Sequence, residues 1–117
     1  MAKILIVDDD MINRKLLNVL LKKNGYETIE AENGSEALYV IKNESIDMVL
    51  LDIVMPVMNG IELLERLKQD EQFKTIPIAI LTTDDTRKNE ALEKGACEVL
   101  IKPIKEPDLK TLLIKCL

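Results

Sequence analysis

Acidic residues directly follow two of the short apolar runs in this chain of 117 residues. Three consecutive aspartates follow residues 4–7, and Asp52 follows residues 48–51. Runs that are apolar on every position are typical of strands covered on both faces of a sheet. Two further runs of this kind are followed by hydroxyl and ammonium groups: residues 78–81 by Thr82 and Thr83, and residues 99–101 by Lys102. If these strands are parallel, the polar groups lie together at one edge of the sheet.

The chemistry that these groups favour is the binding of a divalent cation. Asp8, Asp9 and Asp52 would repel one another at close range, and Lys102 alone cannot neutralise them. A divalent ion together with Lys102 brings the formal charge to zero, and oxygen ligands favour Mg²⁺ over zinc. We assign Asp10 to the start of the following helix, as a cap. The alternative for each acid is that Asp simply favours turns and helix N-termini.

Composition excludes several other classes of function. The chain has no histidine, which removes Ser-His-Asp and Cys-His catalysis, histidine-ligated metals and a phosphohistidine carrier. Its net charge of -5 argues against a nucleic-acid surface. We find neither a signal peptide nor a run long enough to cross a membrane. Cys97 and Cys116 are too few for a disulfide framework, so we expect free thiols and a cytoplasmic location.

Helical patterns alternate with the strands. Residues 26–31 alternate polar and β-favouring types, which predicts an edge strand. The predicted helices cover residues 12–23, 34–43, 60–69 and 84–94 and a last segment that begins near Pro107. Five strands alternating with five helices predict one α/β domain over residues 1–117, a doubly wound (βα)5 flavodoxin-like three-layer sandwich with a parallel sheet in the order 2-1-3-4-5.

Local patterns within the helices give more specific expectations. The first helix should be amphipathic, with an apolar face made of Ile12, Leu16, Val19 and Leu20. Asn33 and Asn59 each precede a glutamate by three residues, which predicts two capped helix starts. Residues 84–94 offer little apolar surface beyond Ala91 and Leu92, so we expect this helix to be the least firmly packed.

Several fragments, in their order and spacing, resemble the receiver domains of bacterial two-component response regulators, including the chemotaxis-type regulators. The resemblance covers essentially the whole chain. It is carried by Ile-Leu-Ile-Val-Asp8-Asp9, by Leu50-Leu-Asp52-Ile-Val-Met-Pro56-Val-Met-Asn-Gly60, by Ile-Leu-Thr82, by Gly95-Ala and by Leu100-Ile-Lys102-Pro103.

The resemblance implies a role for each matching residue. Asp52 would be the phosphoacceptor, taking a phosphoryl group from the phosphohistidine of a partner kinase or phosphotransfer protein. Mg²⁺ would be held by Asp8, Asp9, Asp52 and the backbone carbonyl of Val54. Thr82 and Lys102 would contact the phosphoryl oxygens, with a cis peptide bond between Lys102 and Pro103. The protein would then act as a switch that binds a downstream protein target, with no enzymatic activity beyond its own phosphotransfer and hydrolysis.

Two positions depart from the pattern of that family. Val99 stands where the family usually has Tyr or Phe, so the usual inward turn of a ring is impossible. Thr83 stands where the family prefers Ala and would crowd the path to the phosphoryl group. A receiver-like module that signals by protein contact without phosphorylation is therefore kept as an alternative, as is a receiver module excised from a hybrid kinase or a multidomain regulator.

Two functions from unrelated protein classes are disfavoured. A phosphatase of the haloacid-dehalogenase type needs an acid two residues after the nucleophile, where this chain has Val54. A flavodoxin-type cofactor module needs a phosphate-binding loop after the first strand, where the aspartates would repel phosphate.

Overall fold

The computed structural model describes residues 2–53 and 59–117, which form alternating strands and helices. The strands are β1 (Lys3–Val7), β2 (Glu27–Ala31), β3 (Met48–Leu51), β4 (Ile78–Thr82) and β5 (Glu98–Ile101). The helices are α1 (Met11–Lys23), α2 (Gly34–Asn43), α3 (Gly60–Gln69), α4 (Lys88–Glu93) and α5 (Glu106–Cys116), with a turn of 3₁₀ helix (Asp85–Arg87) before α4. Among the described residues, no helix has the length and apolar character that a membrane span requires.

The strands form a parallel sheet in the order β2-β1-β3-β4-β5, which confirms the predicted topology. Strand order reverses between β1 and β3, where Val7 pairs with Leu51. The N–H of Asp52 donates to the carbonyl of Val7 at 2.9 Å, so the residues that follow the two strands begin at the same level. This is the edge at which the sequence predicted a cluster of polar groups.

Apolar side chains fill both sides of the sheet. Leu5 and Val7 of β1 belong to a core cluster with buried residues of α2, α3 and α4. Ile4 and Ile6 of the same strand belong to a second cluster with buried residues of α1 and α5. Helices on both faces explain why the central strands are apolar on consecutive positions.

Three of the four residues predicted as the apolar face of α1 do not pack on the sheet, while the fourth, Leu20, is partly buried against the core. Ile12, Leu16 and Val19 are 77%, 52% and 63% exposed, while Leu17 and Leu21 are the buried residues of the helix. Apolar residues cover more than half of the helix circumference, so periodicity alone does not decide which part faces the core. The prediction was wrong for these three residues. The packing of α1 leaves them on the surface as an apolar stripe.

Capping residues begin the helices as predicted. The side chains of Asn33 and Asn59 accept hydrogen bonds from the N–H groups of Glu36 and Glu62, at 2.8 and 2.9 Å. Asp10 accepts from the N–H of Ile12 at 3.0 Å and caps α1. These contacts satisfy donors that have no partner within their own helix.

The segment at residues 84–94 forms less helix than predicted. It divides into the 3₁₀ turn and the six residues of α4, in which only Ala91 is buried. Asp84 directly precedes the 3₁₀ turn, and its carboxylate accepts a hydrogen bond from the N–H of Thr86 at 3.0 Å. Such a local hydrogen bond competes with a regular helical start.

The structure corrects the prediction of free thiols, because Cys97 and Cys116 form a disulfide. Cys97 immediately precedes β5, and Cys116 ends α5. Their Cα atoms are 6.2 Å apart, within the range that a disulfide spans. Proximity in the fold therefore pairs two residues that are 19 positions apart, and the cysteines no longer support a reducing compartment.

Candidate functional site

Three carboxylates meet where β1 and β3 end. Asp8, Asp9 and Asp52 each offer an oxygen, and these atoms all lie within 4.8 Å of one another. Asp8 and Asp52 are 2% and 8% exposed, whereas Asp9 is exposed to solvent. The topology thus brings together the three acids that the sequence predicted as metal ligands, with an open side at Asp9.

Lys102 reaches this cluster from the end of β5. Its Nζ lies 2.8 Å from Asp8 Oδ2 and 3.2 Å from Asp52 Oδ2, so it forms an ion pair with both buried acids. The peptide bond between Lys102 and Pro103 is cis. The ammonium is placed where it can contact any group bound between the two carboxylates.

The Asp8 carboxylate accepts hydrogen bonds on both of its oxygens. One oxygen accepts from the N–H of Asp10 at 2.9 Å, and the other accepts from Asn13 and Lys102 at 2.6 and 2.8 Å. Burial alone would raise the pKa of the Asp8 carboxyl, but these donors outweigh burial and hold the pKa below its ordinary value. Asp8 is therefore ionised at neutral pH, as a cation ligand must be.

The ammonium of Lys102 shows the complementary effect. Burial would lower its pKa, but the hydrogen bond to Asp8 and the charges of Asp52 and Asp8 outweigh burial and raise the pKa above its ordinary value. Lys102 therefore keeps its positive charge at neutral pH.

Thr82 ends β4 next to Lys102 and is fully buried. Its hydroxyl accepts from the N–H of Asp84 at 3.1 Å, and its carbonyl accepts from the N–H of Lys102 at 2.8 Å. The next residue, Thr83, is exposed. Val99 is buried in the core and belongs to the cluster under α2, α3 and α4.

A protein-family model described as the response regulator receiver domain matches residues 4–114. The chain belongs to this family. The protein PilH of Pseudomonas aeruginosa is 39% identical to the receiver domain over 111 residues, which are 93% of this chain and 92% of PilH. The phosphate regulon transcriptional regulatory protein PhoB of the same organism is 43% identical over 108 residues, but the chain spans only 47% of its length.

Solved structures give the same result. The chemotaxis protein CheY4 of Vibrio cholerae superposes on the receiver domain with a TM-score of 0.93 and 35% identity, over 100% of this chain and 99% of that one. The response regulator TrrA of Thermotoga maritima, solved in complex with Mg²⁺ and BeF, superposes with a TM-score of 0.92 and 34% identity over the whole of both chains.

The donor set of the receiver domain fits a Mg²⁺ ion. Asp8, Asp9 and Asp52 would supply the oxygen ligands that Mg²⁺ prefers, since each offers a carboxylate oxygen within 4.8 Å of the others. Such an ion, when bound, would neutralise charge on transferring phosphoryl oxygens. Val54, the remaining ligand that the resemblance implies, lies outside the described residues, as do Met55 and Pro56.

Two residues beside Asp8 in the receiver domain were not predicted from the sequence. Asn13 donates to its carboxylate, and Arg14 donates to its backbone carbonyl at 2.6 Å. Asn13 shares its helical face with Leu17 and Leu21, four and eight residues later. A polar residue on a core-facing stripe beside an acidic cluster was the available signal, but it is recognisable only once the buried face of α1 is known.

Gly60, the first residue of α3, has a direct role beside Asp52. A Cβ at this position would collide with the carbonyl oxygen of Asp52 and would lie 2.8 Å from the Cα of Ile53. The N–H of Gly60 also donates to the carbonyl of Ile53 at 2.7 Å. Gly60 therefore lets the start of α3 contact the backbone that carries Asp52.

Proposed function

We propose that this receiver domain is a Mg²⁺-dependent switch that accepts a phosphoryl group on Asp52 from the phosphohistidine of a partner protein. The observation that supports the proposal most is the position of Asp52, which is buried beside Asp8 and paired with Lys102. A carboxylate oxygen of Asp52 attacks phosphorus, the phosphorus–nitrogen bond to histidine breaks, and an acyl phosphate remains on Asp52.

The residues around Asp52 act by position and charge. Lys102 bridges two carboxylates in this structure, and after transfer its ammonium pairs with the phosphoryl oxygens instead. The Thr82 hydroxyl accepts a hydrogen bond from the N–H of Asp84 in this structure. After transfer, the hydroxyl gives up this bond and contacts the phosphoryl group instead. The loop at residues 83–87 then changes, and with it the surface that a downstream protein target recognises.

The exposed stripe on α1, made of Ile12, Leu16 and Val19, is the surface we assign to the phosphodonor. These residues follow one another at spacings of four and three, so they lie on one side of α1. Such a stripe can pack against the apolar face of a helix in a partner protein. The stripe begins two residues after Asp10, on the helix whose Asn13 contacts Asp8, so a partner bound there lies beside the acidic cluster. Leu16→Glu should then reduce transfer from a kinase found to phosphorylate the parent, while phosphorylation by acetyl phosphate stays unchanged.

We do not assign an enzymatic function with a separate substrate. Self-catalysed phosphotransfer and hydrolysis of the aspartyl phosphate are the chemistry that this site supports, and a cytoplasmic location remains a prediction. Val99 favours one alternative, a receiver that signals by contact alone, because it replaces the aromatic ring of the usual readout. A receiver module within a longer regulator is also compatible with relatives such as PhoB, of which the chain spans 47%.

The decisive experiment is intact mass spectrometry after incubation with acetyl phosphate. The parent protein should gain about 80 Da, one phosphoryl group, with Mg²⁺ and not with a chelator, and Asp52→Asn should not gain it. Binding of beryllofluoride, followed by NMR, separates rapid hydrolysis from a true lack of acceptance. A parent that neither gains mass nor binds beryllofluoride contradicts the proposal and favours the contact-only receiver.

A further inference from the structure

The Asp8 carboxylate accepts hydrogen bonds from three parts of the chain, and its donor from α1 is Asn13. The Asn13 amide lies 2.6 Å from Asp8 Oδ2, the same oxygen that Lys102 contacts at 2.8 Å. Because a carboxylate can only accept, the group that Asn13 turns toward it is the NH₂. Asn13 thus contacts a candidate metal ligand without adding charge to the site.

The two donors on Oδ2 differ in how firmly they are placed. Lys102 also pairs with Asp52 and, under the proposed function, turns to the phosphoryl oxygens. Asn13 stays in place because the next residue, Arg14, donates to the carbonyl of Asp8 at 2.6 Å and pairs with Glu30 at 3.2 Å. The first turn of α1 is therefore attached to β1 and β2 independently of Lys102.

We propose that Asn13 is a positioning residue that orients the Asp8 carboxylate for a divalent cation. The inference rests on the proposed function, since it assumes that Asp8 binds Mg²⁺. Hydrogen bonds from neighbouring side chains fix the orientation of a ligating group, and their loss typically lowers metal affinity by about 10- to 100-fold. With Asn13 removed, Asp8 Oδ2 keeps only the mobile ammonium of Lys102 among the side-chain donors described here.

A purely structural role predicts a different result. If Asn13 only supported the fold, its removal would lower stability and leave the cation affinity of the folded protein unchanged. Asn13 is partly exposed, and Asp8 would still have the N–H of Asp10 and Lys102 as partners. Leucine has the branching and the number of heavy atoms of asparagine, although it is larger, and it suits the face that carries Leu17 and Leu21. Asn13→Leu should therefore fold and lose cation affinity.

The chain offers a matched control on the same helix. Asn18 also donates its amide to a carboxylate, Glu30 Oε2, at 3.1 Å, but Glu30 is not part of the acidic cluster. Asn18→Leu removes this hydrogen bond, and also the one that Asn18 Oδ1 accepts from the Thr28 hydroxyl, without touching the acidic cluster. Asn13→Gln keeps the amide and tests rescue, and Asn13→Ala replaces Asn13→Leu if the larger side chain prevents folding.

The experiment is calorimetric titration of each apo protein with MgCl₂, with thermal unfolding of the same samples in EDTA. We expect the Mg²⁺ dissociation constant to rise about 10-fold or more in Asn13→Leu, to recover in part in Asn13→Gln and to change less than about twofold in Asn18→Leu. Unfolding temperatures in EDTA should not follow that order.

Each other outcome has a defined meaning. If the parent binds Mg²⁺ and Asn13→Leu and Asn13→Ala bind it equally well, the role of Asn13 is wrong while the proposed function stands. If Asn18→Leu loses as much affinity as Asn13→Leu, the effect belongs to α1 as a whole and the assignment to Asn13 is wrong. If the parent itself binds no Mg²⁺, the metal requirement of the proposed function fails, and this inference fails with it.

Discussion

Lys102 Nζ lies between two buried carboxylates, and that arrangement decides much of how the site behaves. Asp8 and Asp52 would repel each other without a cation, and the ammonium at 2.8 and 3.2 Å lowers that repulsion. A divalent ion bound at the acidic cluster, on the side of Asp9, would also lower the repulsion between Asp8 and Asp52. Lys102 and Mg²⁺ therefore act in the same direction, and each should matter more when the other is absent.

This leads to a prediction for Lys102→Met in the absence of metal. Removing one partner of a buried ion pair leaves uncompensated charge, so the free energy of unfolding in EDTA should fall by about 3 kcal/mol. Mg²⁺ should recover more stability in this variant than in the parent, since it replaces the lost charge. Urea unfolding in EDTA and in MgCl₂ measures the loss of stability and its recovery by Mg²⁺. Lys105→Met, at an exposed lysine, is the control. Equal Mg²⁺ effects in all three proteins would contradict the prediction.

Gly60 supports the site through backbone contact. In Gly60→Ala the new Cβ must displace either Asp52 or the first turn of α3, and overpacking of this kind costs about 1–3 kcal/mol of stability. We also expect slower phosphorylation by acetyl phosphate, because the carboxylate of Asp52 moves. Gly25→Ala is the comparison: Gly25 has a φ of 90° and open space around it, so its variant is strained far from the site. A Gly25→Ala protein that slows phosphorylation equally would argue against a specific effect.

At the scale of elements, the edge strand β2 is attached to α1 by one carboxylate with several partners. Glu30 pairs with Arg14 and Lys15 at 3.2 and 2.8 Å and accepts from Asn18. Burial would raise the pKa of Glu30, but the two cations outweigh burial and hold the pKa below its ordinary value of 4.5. Of these partners, Arg14 also donates to the carbonyl of Asp8, so the pair of Arg14 and Glu30 links the edge strand to the site.

The lowered pKa of Glu30 predicts a pH dependence of stability. A carboxylate with a lower pKa in the folded state contributes its stability above pH 4.5, and the contribution is lost as pH falls through the folded pKa. Glu30→Gln should therefore be less stable than the parent by about 1 kcal/mol at pH 7, with the difference shrinking below pH 4.5. Urea unfolding between pH 7 and pH 3 measures this. If the difference in the free energy of unfolding between the parent and Glu30→Gln grows toward low pH, the prediction is wrong.

For the whole molecule, the disulfide connects the last helix to the sheet. Cys97 and Cys116 enclose β5 and α5, so the crosslink limits how far α5 can separate from β5 in the unfolded chain. The ion pair between Glu98 and Lys115, at 2.8 Å, lies beside it and joins the same two elements. The buried residues of α5 belong to the core on that face, so the fold does not depend on the crosslink alone.

Loss of the disulfide should lower stability and leave the fold intact. Closing a loop of this length contributes about 3 kcal/mol in the chain-entropy model, so the double variant Cys97→Ser, Cys116→Ser should be less stable by roughly that amount. Parent protein in reducing agent should match the variant, and circular dichroism should be the same for both. Alkylation of the unreduced parent by iodoacetamide checks the crosslink itself, and two modified thiols would show that it had not formed.

The topology and the main residues of the site could be predicted from sequence patterns. Short apolar runs separated by helical patterns predict a parallel sheet with right-handed crossovers, and the alternating pattern of residues 26–31 places that strand at an edge. In such a sheet every strand points the same way, so the residues after the strands share one edge whatever the details of packing. Asp8, Asp52 and Lys102 could be placed together for that reason, and Asp10, Asn33 and Asn59 could be recognised as caps because capping is local chemistry.

Features that depend on which surfaces meet could not be predicted from the sequence and are seen only in the folded chain. The apolar arc of α1 is wide enough to be buried on either side, and contact with the sheet selected Leu17 and Leu21 over the stripe that begins at Ile12. The same choice placed Asn13 against Asp8. Cys97 and Cys116 became partners because β5 and the end of α5 are neighbours in space. Sequence spacing carries no information about such contacts, since they form between elements that folding brings together.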